Sequence, residues 1–600
     1  MPISHRPDLR TYAPIGDGRT VALIASDGGI DWMPMPNLDS TPVFARILDE
    51  DDGGCIELAP EGDHTVRRRY LPGTNVLQTT FTTPEGSARV TDALVTGVAG
   101  RLPWAQLVRR IEGIRGNVRF RWAVRPGTRL RTASPWVQTR GALHVLRVGT
   151  TTLAVVGEGV GRARAEQNEV PFASVRGTFT TDDSSRHLLG VVATDDEPLH
   201  IPDVAHLDES LDRAIAGWRD WSREFSYEGP WTEAVQRSAL ALKLLVYAPT
   251  GAIAAAATTS LPENPAGGKN WDYRFAWVRD LAYTAHALVR FGLREETHAA
   301  LSWMLKTIRG HDDGLHVMYT LRGDLVAAAE TFDAPGWGGI GPVVTGNPAN
   351  DQLQLGVYGD LFAICRTYVD AGNLLDPATG QLLADLAHRT CDLWRQRDSG
   401  MWELPELHHY TSSKMGCWQA LRDAVHLADV GAIPGDPERW AAERDRIAAW
   451  VAEECWSEDA GAYTMYPGSS ALDTSVLLHA ESGFDRGERM SRTIDALTAA
   501  LGAGALLYRY SGMEREEHTF VASAFWRAGA LACVGRHDEA IAAMDELVAA
   551  ANDVGIYSEM ISASDGGFWG NLPQALSHLA VISAALTIQQ VAPERSLDGH

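Results

Sequence analysis

The sequence predicts an antiparallel β-sandwich followed by an α/α barrel, and three observations carry that prediction. Up to about residue 200 the apolar residues come in short β-rich runs between turns, and from about Asp208 they recur at helical spacing. After Pro230, eleven segments of helix length follow one another. Long loops separate alternate pairs of these segments, the arrangement expected when antiparallel helices close into a ring and gather their loops at one end.

The sandwich rests on 20–24, 76–81, 118–122, 143–148 and 151–155, rich in Val, Leu, Thr and aromatic residues, and on turns such as Asp27-Gly28-Gly29. A linking helix is expected over 211–225. The barrel helices are expected over 231–247, 280–291, 295–308, 351–371, 379–395, 412–427, 437–452, 486–501, 520–534, 538–551 and 573–588, with caps such as Gly292 and Gly535. The corresponding units are 1–205 for the sandwich, 206–229 for the linking helix and 230–600 for the barrel. The long loops are 247–279, 310–350, 396–412, 454–475, 502–518 and 555–573.

Composition narrows the function. A net charge of −24 and a pI near 5.2 argue against nucleic-acid and anionic-membrane partners, which need clustered Lys and Arg. Residues 1–18 carry Arg and Asp and no apolar centre, so no secretory signal is read there. No apolar run is long enough to span a bilayer. The six cysteines lie far apart without a Cys-x-x-Cys pair and read as the reduced thiols of a cytoplasmic protein.

The densest chemistry lies at 270–280, Asn-Trp-Asp-Tyr-Arg-Phe-Ala-Trp-Val-Arg-Asp, where a Gly-rich loop runs into a helix. Aromatic faces stack on sugar rings, and Arg and Asp hydrogen-bond hydroxyl groups with fixed geometry. Two other loops carry acids in aromatic, Gly-rich surroundings: Trp402-Glu403-Leu404, and Tyr557-Ser558-Glu559-Met560 followed by Gly566 to Asn571. A carboxyl against Trp402 is expected to be partly desolvated and to hold a proton near neutral pH. A carboxylate among Tyr, Ser and backbone donors is expected to stay ionised. One acid and one base of this kind are what hydrolysis of a glycosidic bond needs.

These blocks, with His409-Tyr410-Thr411, Gly346-Asn347, Asp351 to Leu355, Leu506 to Tyr510 and Gly570 to Gln574, resemble glycoside hydrolase family 15, which holds glucoamylases and bacterial trehalases. Pro14 to Asp17 and Asp27 to Trp32 are similar to that family's trehalase-like N-terminal domain. The resemblance implies a β-sandwich followed by an (α/α)6 barrel. It implies Glu403 as general acid and Glu559 as general base. It implies Arg279 and Asp280 as the pair gripping a terminal glucose, Trp277 and Trp402 as pocket walls, Arg509 as a further sugar contact, and Tyr273 as a neighbour of the attacking water. The chain departs from the family pattern at Pro405, Met560 and Gly341 to Val344, which bears on the leaving-group side, expected to be lined by 336–344, 405–409 and 512–518.

The function so implied is an inverting, exo-acting α-glucosidase that releases β-glucose from short α-glucosides of the malto or isomalto type. The alternatives are an α,α-trehalase or an inactive sugar-binding protein. The expected partner is a small oligosaccharide, with no nucleic acid and no membrane; a homo-oligomer is left open. No cofactor and no metal are expected. His408-His409 lacks a third ligand at metal spacing, Gly157 to Gly161 lacks the third glycine of a dinucleotide loop, and the acidic turn at 49–52 reads as a solvated turn rather than a calcium loop.

Overall fold

The computed structural model describes residues 8–591 apart from 96–103, 142, 168–171, 226, 312 and 313; of the opening stretch read for a leader, residues 1–7 therefore lie outside the described residues. Among the described residues, sixteen strands between Ala13 and Asp195 form two eight-stranded antiparallel sheets. One is centred on Val118–Pro126 between Gly54–Pro60 and Ala173–Thr181. The other is centred on Trp104–Gly116 between Gly86–Leu94 and Arg186–Asp195. Along Val118–Pro126 the residues alternate, with Val118, Phe120, Trp122 and Val124 inward and Arg119 and Arg121 outward, as a two-residue period demands. The inner faces interdigitate through rings such as Phe81 of the second sheet and Phe120 of the first, edge to face at 5.9 Å.

The linking helix, α1 (Val204–Glu224), begins earlier than the sequence indicated. Leu207 and Leu211 pack on the outer face of the second sheet against Val76, Val108 and Val192, and that burial extends the helix back to the Asp203 cap. The helices that follow are α2 (Thr232–Leu245), α3 (Val278–Arg290), α4 (Arg294–Arg309), α5 (Gly356–Asp370), α6 (Pro377–Leu393), α7 (Thr411–Asp429), α8 (Pro437–Glu454), α9 (Leu478–Glu481), α10 (Glu488–Leu501), α11 (Val521–Cys533), α12 (His537–Val548) and α13 (Ala575–Val591). Helices α3, α5, α7, α9, α11 and α13 pack in that order, and α13 returns to α3, closing an inner ring. The alternate helices lie outside it. The architecture is an (α/α)6 barrel.

One ring member is absent from the sequence reading. The expected loop 454–475 ends in a 3-10 turn, Thr474–Leu477, that runs straight into the single turn of α9. All four residues of the 3-10 turn are buried, so no amphipathic period marks it. In addition α5 begins at Gly356, after a separate 3-10 turn at Pro348–Asp351, rather than at 351.

Each long loop connects an outer helix to the N-terminus of the next inner one, so all six loops meet at one end of the ring. The two halves of the chain share a core there: Leu9, Tyr12, Leu23 and Trp32 pack with barrel residues, and the Trp32 indole donates to Ala257 O at 2.9 Å. Among the described residues no helix is long and apolar enough to cross a membrane. All six cysteines are free thiols.

Candidate active site

The loop before α3 folds back on itself. Ala256 N–H bonds Tyr273 O, Ser260 N–H bonds Trp271 O and Glu263 N–H bonds Lys269 O, which makes the stretch 270–280 the return arm of an irregular hairpin. Its two charge pairs separate. Asp272 and Arg274 bind each other at 2.7 and 2.8 Å, and Arg274 donates to Ser40 O at 2.7 Å, so this pair ties the hairpin to the sandwich. Arg279 and Asp280, at the start of α3, instead line a cavity of about 520 Å³. The Asp280 Oδ2 accepts from Arg279 Nε at 3.0 Å, while its Oδ1 is buried with no hydrogen-bond partner.

The loop before α7 is pinned by Asp398, whose Oδ2 accepts from Leu355 N at 2.9 Å and Ser413 Oγ at 2.6 Å. Trp402 donates through Nε1 to Asp473 at 2.7 Å, and Glu403 sits in the left-handed region at φ 60°. A non-glycine residue held there is strained by about 1–3 kcal/mol, which surrounding contacts must offset. Glu403 Oε1 accepts from Trp277 Nε1 at 2.7 Å. Burial raises its carboxyl above the ordinary range, against the pull of Arg279 and of the Trp277 hydrogen bond.

Glu559 precedes the short strand Met560–Ile561, which pairs with Thr519–Phe520 and Phe568–Trp569. Its side chain is buried, and Oε2 accepts from Asn571 N at 3.4 Å. Gly570, at φ 72°, passes so close that a Cβ there would lie 2.5 Å from that oxygen. The expectation that Glu559 stays readily ionised is corrected by its surroundings. Burial first, and the Glu263 carboxyl second, push its pKa well up, while Arg509, the Asn571 amide and Tyr273 act the other way. The Ser558 hydroxyl is engaged by Met560 O and does not reach it.

Between these loops lies a charge network. Arg509 donates from Nη2 to Glu263 at 2.8 Å and from Nε to Glu517 at 2.8 Å, Lys269 binds Glu516 and Glu517, and Tyr273 donates to Glu263 at 3.2 Å. The Arg509 guanidinium lies 5.5 Å from the ring centres of both Trp402 and Phe520.

All eight residues singled out in the sequence, Tyr273, Trp277, Arg279, Asp280, Trp402, Glu403, Arg509 and Glu559, line this one cavity. The inner ring places the Glu403 loop and the Glu559 loop opposite each other, since α7 and α13 stand three positions apart in a ring of six. Pro405, Glu516 and Glu517 line the cavity as expected for 405–409 and 512–518. Of the expected 336–344, Gly336 to Gly339 line a different cavity beside Tyr12 and Arg46, and 347–349 take their place here. Glu263 and Lys269 also line the site and were not anticipated, while Asn347 and Gln352, which line it too, lie in the blocks 346–347 and 351–355 quoted for the resemblance. Glu263 and Lys269 are single polar residues in an irregular loop, without period or spacing to single them out.

Among the described residues no group of three or more His, Cys, Asp or Glu could hold a metal ion. In the acidic turn, Asp49 is engaged by Arg131 at 2.9 Å and by the Asp52 amide at 3.1 Å.

The sequence matches the family description "Glycosyl hydrolases family 15" over residues 229–507 and "Trehalase-like, N-terminal" over residues 5–161. It is 30% identical to a trehalase of Thermoplasma volcanium, covering 98% of this chain and 95% of that one. It is 30% identical to a trehalase of Mycobacterium tuberculosis, covering 99% of this chain and 91% of that one. Among solved structures it is similar to a bacterial glucoamylase complexed with acarbose, with a TM-score of 0.70, 13% identity, and coverage of 97% of this chain and 94% of that one; at that identity the likeness concerns the fold.

Proposed function

The chain belongs to glycoside hydrolase family 15, and from that premise we propose that it hydrolyses α,α-trehalose with inversion at the attacked carbon. The observation that carries the choice of substrate is the run of end-to-end relatives named trehalase, including those of Thermoplasma volcanium and Mycobacterium tuberculosis. Sequence analysis ranked malto- and isomalto-type glucosides ahead of trehalose; these relatives reverse that order.

In this reading Glu403 gives its proton to the glycosidic oxygen as the C1–O bond breaks. Burial raises its pKa, which favours the protonated form needed for that step. Glu559 takes a proton from a water molecule as the water oxygen bonds to C1 from the other face, which suits acids carried by opposite loops. Asp280 Oδ1, buried and unpartnered, is an acceptor for a sugar hydroxyl, and Arg279 holds that carboxylate in place. Trp277 packs on Tyr273 edge to face at 5.4 Å and steadies the acid through its indole N–H.

Inversion on trehalose gives one β-glucose from the attacked ring and one α-glucose from the leaving ring. Retention would give two α-glucoses. Proton NMR in the first minutes distinguishes them, with Glu403→Gln as the blank. The same assay on maltose, isomaltose, kojibiose and nigerose tests the substrate. A higher kcat/KM on any of these than on trehalose would overturn the trehalose reading, and two α-glucoses would overturn the mechanism.

A further inference from the structure

Glu263 has no role in the reaction just described, yet it is one of the most enclosed charges in the cavity. It is 1% exposed, and its two oxygens are used differently. Oε2 is held by Arg509 Nη2 at 2.8 Å, and Oε1 accepts from the Tyr273 hydroxyl at 3.2 Å. Glu559 lines the same cavity, and the Gly570 amide beside it donates to Pro262 O at 2.8 Å, which holds the Glu559 and Glu263 loops together. One hydroxyl has one proton. While Tyr273 donates it to Glu263, that proton is withheld from Glu559, whose ionised form it would otherwise favour, and the Tyr273 oxygen is left as an acceptor for a protonated Glu559.

We propose that Glu263 is a positioning residue for the hydrolytic step: through the Tyr273 hydroxyl and through its own charge it sets how strongly Glu559 draws a proton from water. The proposal rests on the reading of Glu559 as general base. In the step, the water O–H bond breaks, the Glu559 O–H bond forms, and the new acid O–H points to the Tyr273 oxygen while Tyr273 keeps its own proton toward Glu263. The proton later leaves to solvent, and Glu403 regains one.

The charged groups facing this unit come from three of the loops and from α3. Lys269 and Tyr273 come from its own hairpin, Arg509, Glu516 and Glu517 from the loop before α11, Glu403 from the loop before α7, and Arg279 and Asp280 from α3. Glu263, Glu517 and Glu559 are set against Arg509 and Lys269, so the acids outnumber the cations and one proton is contested. In keeping with this, burial pushes Glu263 up to about 7.

The test is the pH profile of kcat/KM on trehalose. Glu559 must be ionised to act, so activity falls as pH drops through its pKa. Removing the neighbouring negative charge lowers that pKa and moves the acidic limb down. Glu263→Gln is expected to move it by about one unit and to lower the plateau kcat about tenfold, because the weaker base draws less strongly on water. Glu263→Gln and Tyr273→Phe are expected to be non-additive, the double variant losing clearly less than the product of the two single losses. An unmoved acidic limb, or fully multiplicative losses, would overturn the proposal. If Glu263→Gln does not fold, Glu263→Asp keeps the charge while withdrawing it from Tyr273; the limb should then stay and kcat fall, and an unchanged kcat overturns the link. Glu559→Gln run alongside separates the two readings: full activity there removes the base itself, whereas a large loss there with an unmoved limb in Glu263→Gln removes only this proposal.

Discussion

Trp277 shows how much one side chain in this pocket does. A pocket wall needs only a ring, but the indole N–H donates to Glu403 at 2.7 Å. That bond favours the ionised carboxylate, so losing it should raise the pKa of the acid. Trp277→Phe keeps most of the ring and drops the donor. Because the acid must be protonated to act, the alkaline limb of the activity profile is expected to move up by about one unit; a limb that stays or falls would remove the donor from the argument. Asp360, on α5 beneath Arg279, makes a different point. Burial pushes its carboxyl up to about 7, with Tyr283 and Arg279 only partly offsetting. The folded value lies above the unfolded one, about 3.9, so the folded state binds the proton more tightly. Its contribution to stability is complete below the unfolded value and is lost as pH rises to about 7. Asp360→Asn cannot ionise, so it is expected to gain on the natural protein between pH 5 and pH 8, by roughly 1–3 kcal/mol. Denaturant unfolding at the two pH values measures this, and an equal difference at both would contradict it.

At the scale of elements, the loops before the inner helices hold the acids by backbone as much as by side chain. The Glu559 loop depends on Gly570, whose φ is 72° and whose missing Cβ leaves room for the carboxylate. Gly570→Ala is expected to displace Glu559 and lower kcat about a hundredfold, since small misplacements of a reacting group are costly. The fold should survive, because the contact is with one side chain at the mouth of the ring; circular dichroism and kcat together check both parts. The 3-10 turn before α9 works through Asp473, which caps the turn through Ser475 N at 2.8 Å and also holds Trp402. Asp473→Ala removes both contacts and is expected to cost about 1–2 kcal/mol for the cap and to weaken sugar binding through Trp402.

For the whole molecule, the sandwich is part of the support for the active-site loops. Arg10 donates to Gly566 O at 2.8 Å and Ala551 O at 2.9 Å and lies over the Phe568 ring, while Asn552 donates back to Arg10 O and Tyr12 O. Arg10→Ala should therefore loosen the loop that carries Glu559. The expected outcome is faster amide exchange over 560–570 and a kcat about tenfold lower with little change in KM. The units 1–205 and 230–600 read from the sequence are expected not to be separable. A chain starting at 230 would expose the faces that cover Leu9, Leu23 and Trp32, and should aggregate on size-exclusion chromatography; a monomeric, active barrel would refute this.

The sequence by itself determined the order of element types, eleven of the twelve barrel helices and eight of the residues that line the cavity. The elements were legible because their signals are local, an apolar period along one face or a cap, and the eight residues were legible because the short blocks around them resemble those of the family. Tertiary structure alone decided the rest. The turn leading into α9 is buried all round and has no face to read. Glu263 became a neighbour of Glu559 only when the loops before α3 and α13 were brought side by side by closure of the ring. The protonation of Glu559 depends on that neighbour and on burial, and both are properties of packing rather than of the residues next to it in the chain.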